Sequence, residues 1–237
     1  MKKFTADFET CTWLEDETYV WAWALCEIGN EENIKIGTNI EEFYQECLKL
    51  NNPKIYFHNL KFDSSFLIDY LYRHNYELIK EGKEKRDKTF QCIVSDLGAF
   101  YQVVVYEKVK GKRIKKITFI DSLKIINMSV KAIAKTFNLP ISKLEIDYNA
   151  YREKGHKLTP EETEYIKNDV RIVAMALNQL FCEGLTQMTA ASNALSYYKK
   201  ITGRQKFEHY FPELTHEEDA LIRPAYKRRV HIYESPL

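Results

Sequence analysis

The sequence predicts one α/β domain with a short C-terminal extension, and three observations support this fold class. Its 237 residues are enough for a single domain with a substantial hydrophobic core. Hydrophobic residues make up 45% of the chain and charged residues 29%, which is ordinary globular composition. Segments with the two-residue alternation of strands are interspersed with segments whose apolar residues recur at helical spacing.

Strands are predicted mainly in the first half of the chain. Residues 2–10 alternate apolar and polar side chains, so Asp7 and Glu9 should project to the same side of a strand. A hairpin is predicted through residues 96–98, and the basic run 108–116 should form a second turn. The charged segment 80–88 is predicted to be a solvated loop. The remaining strands are predicted over 19–29, 33–38, 54–58, 90–95, 100–107 and 117–121.

Helices are predicted over 39–50, 63–74, 129–138, 160–183 and 189–201. The clearest of them begins at a capping box, in which Thr159 is the N-cap, Pro160 the first helical residue and Glu162 the reciprocal partner. Tyr165 and Asp169 are four residues apart and therefore share one face of this helix. Its core stripe is predicted to consist of Ile166, Val170, Val173, Leu177 and Leu180.

Charge and cysteine content restrict the class of protein further. Lys and Arg total 35 against 34 for Asp and Glu, so net charge favours no class of partner, and only the run 108–116 is strongly basic. The five cysteines are widely spaced without a C-x-x-C pair, which indicates free thiols in a reducing compartment rather than disulfides or a zinc site. No apolar leader and no stretch of 18 apolar residues occurs, so a soluble, cytoplasmic protein without a membrane partner is expected.

Four acidic residues from three separate segments are the main candidates for function. Asp7 and Glu9 lie on the first strand, Asp63 at a strand–helix junction, and Asp169 on the capped helix beside Tyr165. Carboxylates that meet at one edge of a sheet can hold two divalent cations, Mg²⁺ or Mn²⁺, about 4 Å apart around a phosphodiester. Asp7 would bridge the cations, Glu9 and Asp169 would complete one of them, and Asp63 would support the other. Tyr165 would orient, or help to deprotonate, the attacking water.

Each of these short patterns has an ordinary structural interpretation. A D-x-E pair on a strand usually faces solvent, an N-x-x-x-D pattern before a helix is usually a cap, and a Y-x-x-x-D pair usually lies on a helix surface. The ordered combination of all three is much more specific than any one of them.

Three segments resemble the exonuclease motifs of family B DNA polymerases, most closely those of the protein-primed subgroup that replicates linear phage and plasmid genomes. They are D-F-E-T over 7–10, Y-F-H-N-L-K-F-D over 56–63 and Y-I-K-N-D over 165–169. Shorter matches lie at 35–37, 110–113, 121–124, 143–148 and 159–162, so the similarity covers residues 2–226.

The resemblance implies a fold, an activity and a division of the chain. The fold is ribonuclease-H-like, a central mixed β-sheet flanked by helices, with an added β-hairpin and a helical C-terminal extension. The activity is 3′→5′ exonuclease chemistry with four acids and a tyrosine, which makes Asp7, Glu9, Asp63 and Asp169 the metal ligands. The exonuclease domain would occupy residues 1–188, and residues 189–237 would form the extension. A phage- or plasmid-encoded protein inside the host cell is the expected setting.

The resemblance also implies contacts with the 3′ end of single-stranded DNA. Lys143 is expected at a phosphate oxygen near the metals and counts among the catalytic residues. Aromatic faces stack on bases without sequence preference, whereas Lys and amide groups bind the backbone. From the residues alone, Phe62 and Leu123 would fit a core, and Tyr148 would fit a buried hydrogen bond. The complete set of expected DNA contacts is Thr10, His58, Asn59, Phe62, Ser122, Leu123, Lys143 and Tyr148.

The match to the family does not extend to DNA synthesis. Palm-domain motifs of the D-x-x-S-L-Y-P and D-T-D kind do not occur in these 237 residues, and arginines replace the family's linker glycines after Tyr226. The chain is therefore expected not to copy DNA by itself. Three hypotheses stay open: an active exonuclease, alone or with a separate polymerase subunit; a non-catalytic module that binds DNA, a polymerase or a terminal protein; and a ribonuclease of the same fold.

Overall fold

The computed structural model describes residues 2–11, 17–80, 82–95, 98–108 and 113–231, with side chains up to Pro224. The chain divides into two compact units, Met1–Asn193 and Ala194–Leu237. This boundary lies beyond the predicted border at residue 188. Asn193 is the last residue of the first unit, and its Oδ1 accepts a hydrogen bond from the Gln187 backbone N–H at 2.8 Å. The functional division of the chain stays a prediction.

A mixed sheet forms the centre of the first unit. Its strands are β1 (Lys3–Thr10), β2 (Val20–Glu27), β3 (Asn30–Gly37), β4 (Lys54–Phe57), β5 (Glu77–Leu78), β6 (Thr89–Val94), β7 (Phe100–Lys108) and β8 (Ile114–Asp121). They lie in the order β3-β2-β1-β4-β8-β7-β6-β5. Strands β1, β4 and β8 run parallel, the pairs β1–β2, β2–β3, β7–β8 and β6–β7 are antiparallel, and β5 pairs parallel with β6. The predicted mixed sheet is therefore confirmed.

Helices cover both faces of this sheet. The helices are α1 (Ile40–Lys49), α2 (Leu60–Arg73), α3 (Val130–Thr136), α4 (Pro160–Cys182), α5 (Ala190–Thr202), α6 (Arg204–Tyr210) and α7 (His216–His231), and a 3₁₀ turn, η1, spans Ser122–Lys124. Phe8 of β1 and Phe57 of β4 pack against Phe43 on the face covered by α1 and α2. On the other face, α3 and α4 bury Ile133 and Leu177 against β4 and β8.

The predicted local signals are present where the chain is described. The capping box of α4 forms, with Thr159 accepting from the Glu162 backbone and Glu162 accepting from the Thr159 backbone. The stripe predicted for α4 is buried or partly buried throughout. The alternation in β1 is also confirmed, because its apolar residues join the core on the α1/α2 face. Residues 96–97 and 109–112, within the two predicted turns, lie outside the described residues.

Some boundaries differ from the predictions because distant contacts decide them. Helix α2 begins at Leu60 rather than at residue 63, since a carboxylate from β8 accepts the first N–H groups of the helix. Strand β5 has only two residues within a polar region, and it exists through its pairing with Thr89 and Phe90. The segment after residue 201, predicted as part of a helical extension without helix bounds, forms α6 and α7.

The second unit is helical and has a small aromatic cluster. The rings of Tyr198, Phe207 and Phe211 contact one another, and Lys199 Nζ lies 4.7 Å from the centroid of the Phe207 ring. In the described part of the chain, no helix combines the length and the apolar character needed to cross a membrane.

Candidate active site

The predicted site residues lie at the edge of the sheet where the three parallel strands end. Asp7 and Glu9 lie in the second half of β1, and Asp63 lies in the first turn of α2, directly after β4. Asp169 lies on α4, which is fixed to β1 by a hydrogen bond from Thr5 Oγ1 to the Val170 carbonyl oxygen at 2.8 Å. Because carboxyl ends of parallel strands meet at one edge, three distant segments reach the same place.

The two acids of β1 resist ionisation. Burial and the negative charge of Asp169 raise the pKa of Asp7 to about 7, against its ordinary 3.8. Burial, followed by the charges of Asp7 and Asp169, raises the pKa of Glu9 to about 9. Arg152 and Lys143 act in the opposite direction on Glu9 without overcoming this effect. Each carboxylate therefore experiences the others, which is the electrostatic signature of a shared site.

Asp63 and Asp169 complete the acidic group. Burial and then the charge of Asp7 raise the pKa of Asp63 well above its ordinary value. Burial also raises the pKa of Asp169, although Lys143 opposes the shift. One carboxylate oxygen of each residue, Oδ1, is buried without a hydrogen-bond partner. Such an atom is costly unless something else binds it, so both oxygens are candidates for coordinating a cation.

Lys143 and two tyrosines border the carboxylates. Lys143 Nζ pairs with Asp169 Oδ2 and lies 3.3 Å from the Tyr165 hydroxyl. The Tyr165 and Tyr148 hydroxyls are 2.8 Å apart. Burial, followed by the charges of Glu9 and Asp169, raises the pKa of Tyr165 above its ordinary value, so its hydroxyl keeps its proton. Tyr165 is thus suited to orient a water molecule by hydrogen bonding and is unsuited to deprotonate it.

The donor set fits a hard divalent cation. In the part of the chain that the structure describes, no three Asp, Glu, His or Cys side chains are arranged to hold a metal ion. Asp169 is paired with Lys143. All four acids nevertheless offer oxygen ligands, and one lysine cannot balance four carboxylates. The buried, unpartnered oxygens of Asp63 and Asp169 agree with this fit. Coordination requires the carboxylates to move together, and the metal site stays a prediction.

The predicted DNA contacts fall into an exposed and an internal group. Asn59 is exposed, and the Phe62 and Tyr148 side chains are 50% and 51% exposed, so all three are accessible to a strand of DNA. Thr10 and Leu123 are half-buried at the same edge of the sheet. The structure thus leaves aromatic and amide groups available beside the carboxylates, as stacking and backbone binding require.

His58 and Ser122 are engaged inside the protein. The Ser122 side chain is fully buried, and its hydroxyl donates to the Phe57 carbonyl at 2.9 Å and lies 3.0 Å from His58 Nδ1. His58 Nε2 donates to the Met128 carbonyl at 2.7 Å, since a carbonyl oxygen only accepts. A direct DNA contact by the Ser122 hydroxyl or by the His58 ring nitrogens therefore requires these internal bonds to open.

A known family matches most of the chain. The family described as "DNA polymerase type B, organellar and viral" matches residues 44–156 and 145–227. The chain belongs to this family. The resemblance to family B DNA polymerases found in the sequence is therefore confirmed.

Relatives of this chain include phage DNA polymerases. The DNA polymerases of Bacillus phage B103 and Bacillus phage phi29 are 44% and 40% identical to it over 226 residues, or 95% of the chain. Phi29 DNA polymerase complexed with single-stranded DNA superimposes with a TM-score of 0.85 at 38% identity, over 94% of this chain and 39% of that one. The predicted ribonuclease-H-like α/β fold is thereby confirmed. The chain spans 39% of the length of the B103 polymerase.

Sequence reasoning missed the pairing of Arg152 with Glu162 and the contacts of Asp121. Arg152 is only 4% exposed. It donates to Glu162 at 2.5 Å, and its guanidinium lies 4.4 Å from the centroid of the Trp21 ring. These two contacts anchor the irregular segment that carries Tyr148. Burial opposes ionisation of Glu162, but hydrogen bonds from the Thr159 backbone, Arg152 and a histidine lower its pKa to about 2. In the sequence, the only signal for this pairing was that Arg152, a charged residue, lies near the capping box at Thr159.

The second missed residue is Asp121, in the short match over 121–124. It is 1% exposed, and its carboxylate accepts backbone N–H groups from two segments that carry predicted DNA contacts. Its partners at residues 59 and 60 lie more than sixty positions away in sequence, so no local pattern could indicate them.

Proposed function

We propose that residues 1–188 form a 3′→5′ exonuclease that uses two Mg²⁺ or Mn²⁺ ions to shorten single-stranded DNA from its 3′ end. The observation that carries this proposal is the group of four acids at one edge of the sheet: burial raises the pKa of all four, the charges of neighbouring acids add to this at Asp7, Glu9 and Asp63, and a single lysine lies beside them. A solved relative, phi29 DNA polymerase, is complexed with single-stranded DNA, which supports the class of substrate.

The chemistry divides between bound cations and the side chains around them. Asp7, Glu9, Asp63 and Asp169 would hold the cations, which activate water and stabilise charge on the phosphate. Protonated Tyr165 donates a hydrogen bond that orients the attacking water. Pairing with Asp169 raises the pKa of Lys143 although burial lowers it, so Lys143 stays cationic and attracts a phosphate oxygen.

End-labelled single strands test this proposal. A 5′-labelled oligonucleotide should shorten one nucleotide at a time, and a 3′ label should appear at once as a mononucleotide, in Mg²⁺ or Mn²⁺ but not in EDTA. Asp169→Asn should lower the rate at least about 100-fold, since a metal ligand is lost. Asp69→Asn is the matched control, because Asp69 is 59% exposed on α2, and its rate should not change.

Other outcomes of this assay would reject the proposal in favour of its alternatives. Faster cleavage of an RNA strand than of the same DNA sequence would indicate a ribonuclease of this fold. Tight binding of the strand without cleavage in either metal would indicate a non-catalytic module.

We further propose that this exonuclease proofreads newly made DNA during replication inside the host cell, with a polymerase subunit or a terminal protein as partner. The phage DNA polymerases that resemble the chain support this setting. A mismatched 3′ nucleotide frays more easily than a paired one, so excision should be at least several-fold faster from a mismatched primer end. Equal rates on matched and mismatched ends would remove the proofreading role.

A further inference from the structure

One carboxylate oxygen joins the two turns that carry most of the predicted DNA contacts. Asp121 is the last residue of β8, and its Oδ1 accepts backbone N–H groups from Asn59 at 3.1 Å, Leu60 at 3.3 Å and Leu123 at 3.0 Å. The Lys124 ammonium lies 3.6 Å from the other oxygen. At 1% exposure, a charged carboxylate needs such compensation to be stable in the protein interior.

Asp121 takes over the role of N-cap for α2. The residue in the N-cap position is Asn59, but it adopts a left-handed conformation with φ 82° and ψ 52°, and its side chain makes no capping bond. The backbone N–H groups of Asn59 and Leu60, at the start of the helix, donate to Asp121 instead. The exposed Asn59 amide is consequently left free of this task and available to a ligand.

The two turns are held together at a second point as well. His58 precedes Asn59, and its ring links Ser122 in the 3₁₀ turn to the Met128 carbonyl just before α3. The turn after β4 and the turn after β8 are therefore joined at two neighbouring points, one at Asp121 and the other at His58. A shift of either turn would separate Asn59 from Leu123. Turns that are held rigidly in the binding geometry bind a strand more tightly than mobile ones, because less conformational freedom is lost on binding.

We propose that Asp121 is a positioning residue for the 3′ end of the DNA strand. It fixes the Asn59 and Leu123 turns relative to each other, and its own side chain touches neither the DNA nor the metals. This inference rests on the proposed function, because it concerns how that site holds its substrate. Asp121 therefore governs mainly the affinity for the terminal nucleotides and has less effect on the rate of cleavage once DNA is bound.

The test compares two substitutions at Asp121 with a matched cap substitution elsewhere. Asp121→Ala removes the acceptor, whereas Asp121→Asn keeps one acceptor oxygen and guards against failure to fold. Asn39→Ala is the control, because Asn39 caps α1 by accepting from the Glu42 backbone and lies outside the predicted site. The dissociation constant of a 5′-fluorescein single-stranded pentanucleotide is measured in EDTA by anisotropy, beside the melting temperature of each variant.

The expected result separates positioning from stability. Asp121→Ala should weaken binding roughly tenfold and Asp121→Asn about threefold, while Asn39→Ala lowers the melting temperature and changes binding less than twofold. If Asp121 acts through Asn59, then Asp121→Asn should weaken binding much less in an Asn59→Ala background than in the wild type, while the two effects on the melting temperature stay additive.

Two results would overturn the inference. The first is an affinity of both Asp121 variants equal to that of Asn39→Ala. The second is a double variant, Asp121→Asn with Asn59→Ala, whose loss of affinity equals the product of the losses of the two single variants. In both cases the wild type still binds and cleaves the strand, so the proposed function survives. A wild-type protein that neither binds nor cleaves the strand would refute the proposed function and this inference together.

Discussion

Replacing Glu9 with glutamine should stabilise the protein in the absence of divalent metal. Burial and the neighbouring charges of Asp7 and Asp169 raise the pKa of Glu9 to about 9, so the folded protein favours the protonated side chain. Glutamine resembles this protonated form in size and in hydrogen-bonding groups. The substitution therefore removes the cost of ionising a buried carboxyl group beside other acids.

The magnitude follows from the difference between the folded and unfolded pKa of Glu9. A folded pKa of about 9 against 4.5 means that its contribution to stability is complete below about pH 4.5 and is lost as the pH rises through 9. At pH 7 this shift in pKa lowers the free energy of unfolding of the wild type by roughly 3 kcal/mol, before solvent screening is taken into account. Because Glu9 is partly exposed, about 1–2 kcal/mol is a realistic gain, or a rise of about 5 °C in melting temperature.

Thermal unfolding in EDTA across a pH series measures this gain. The melting temperature of Glu9→Gln should equal that of the wild type near pH 4.5 and exceed it increasingly up to about pH 9. Glu145→Gln is the control, since Glu145 is 86% exposed, and its curve should follow the wild type within about 1 °C. Added Mn²⁺ should raise the melting temperature of the wild type more than that of Glu9→Gln. A Glu9→Gln protein less stable than the wild type at every pH would refute this reasoning.

Three further predictions concern separate parts of the molecule. Lys143→Met should lower the rate of cleavage about 100-fold while DNA affinity changes less than threefold, because the ammonium beside Asp169 is expected to act on the reacting phosphate. Glu162→Gln should cost about 3 kcal/mol at pH 7 in urea unfolding, because Glu162 is buried with Arg152, and the loss should vanish as the pH falls from 4.5 through 2, since a lowered pKa stabilises fully only above that window. Gly37→Ala should cost about 1–3 kcal/mol without changing the rate of cleavage, because its Cβ would lie 2.6 Å from a buried indole ring.

Each of these predictions has an opposite outcome. An unchanged cleavage rate in Lys143→Met would show that Lys143 does not act on the reacting phosphate and only pairs with Asp169. A stability difference for Glu162→Gln that persists at pH 2 would show that its ionised form is not what stabilises the fold. A melting temperature for Gly37→Ala equal to that of the wild type would mean that the indole ring moves freely.

The parts of the fold that the sequence predicted are those decided by local physics. The alternation of β1 placed Asp7 and Glu9 on one face because side chains in a strand alternate strictly. The start of α4 could be predicted because its capping box lies within four consecutive residues. Tyr165 and Asp169 share a face of α4 for the same reason.

The remaining features depend on contacts between distant residues. Asp121 caps a helix whose first residue is about sixty positions earlier, so the beginning of α2 was misplaced by three residues. Lys143 reaches Asp169 from a segment without regular structure, and no periodic pattern indicates that approach. Resemblance to a family supplied Lys143 as a candidate, whereas the pairing itself required the structure.

A crystal of this protein soaked in Mn²⁺ and measured at the manganese absorption edge tests the central claim most directly. The account predicts two anomalous peaks at the carboxyl edge of the sheet, contacted by Asp7, Glu9, Asp63 and Asp169, with Lys143 displaced from Asp169. Carboxylates that stay apart, with no peak among them and Lys143 still paired to Asp169, would contradict it.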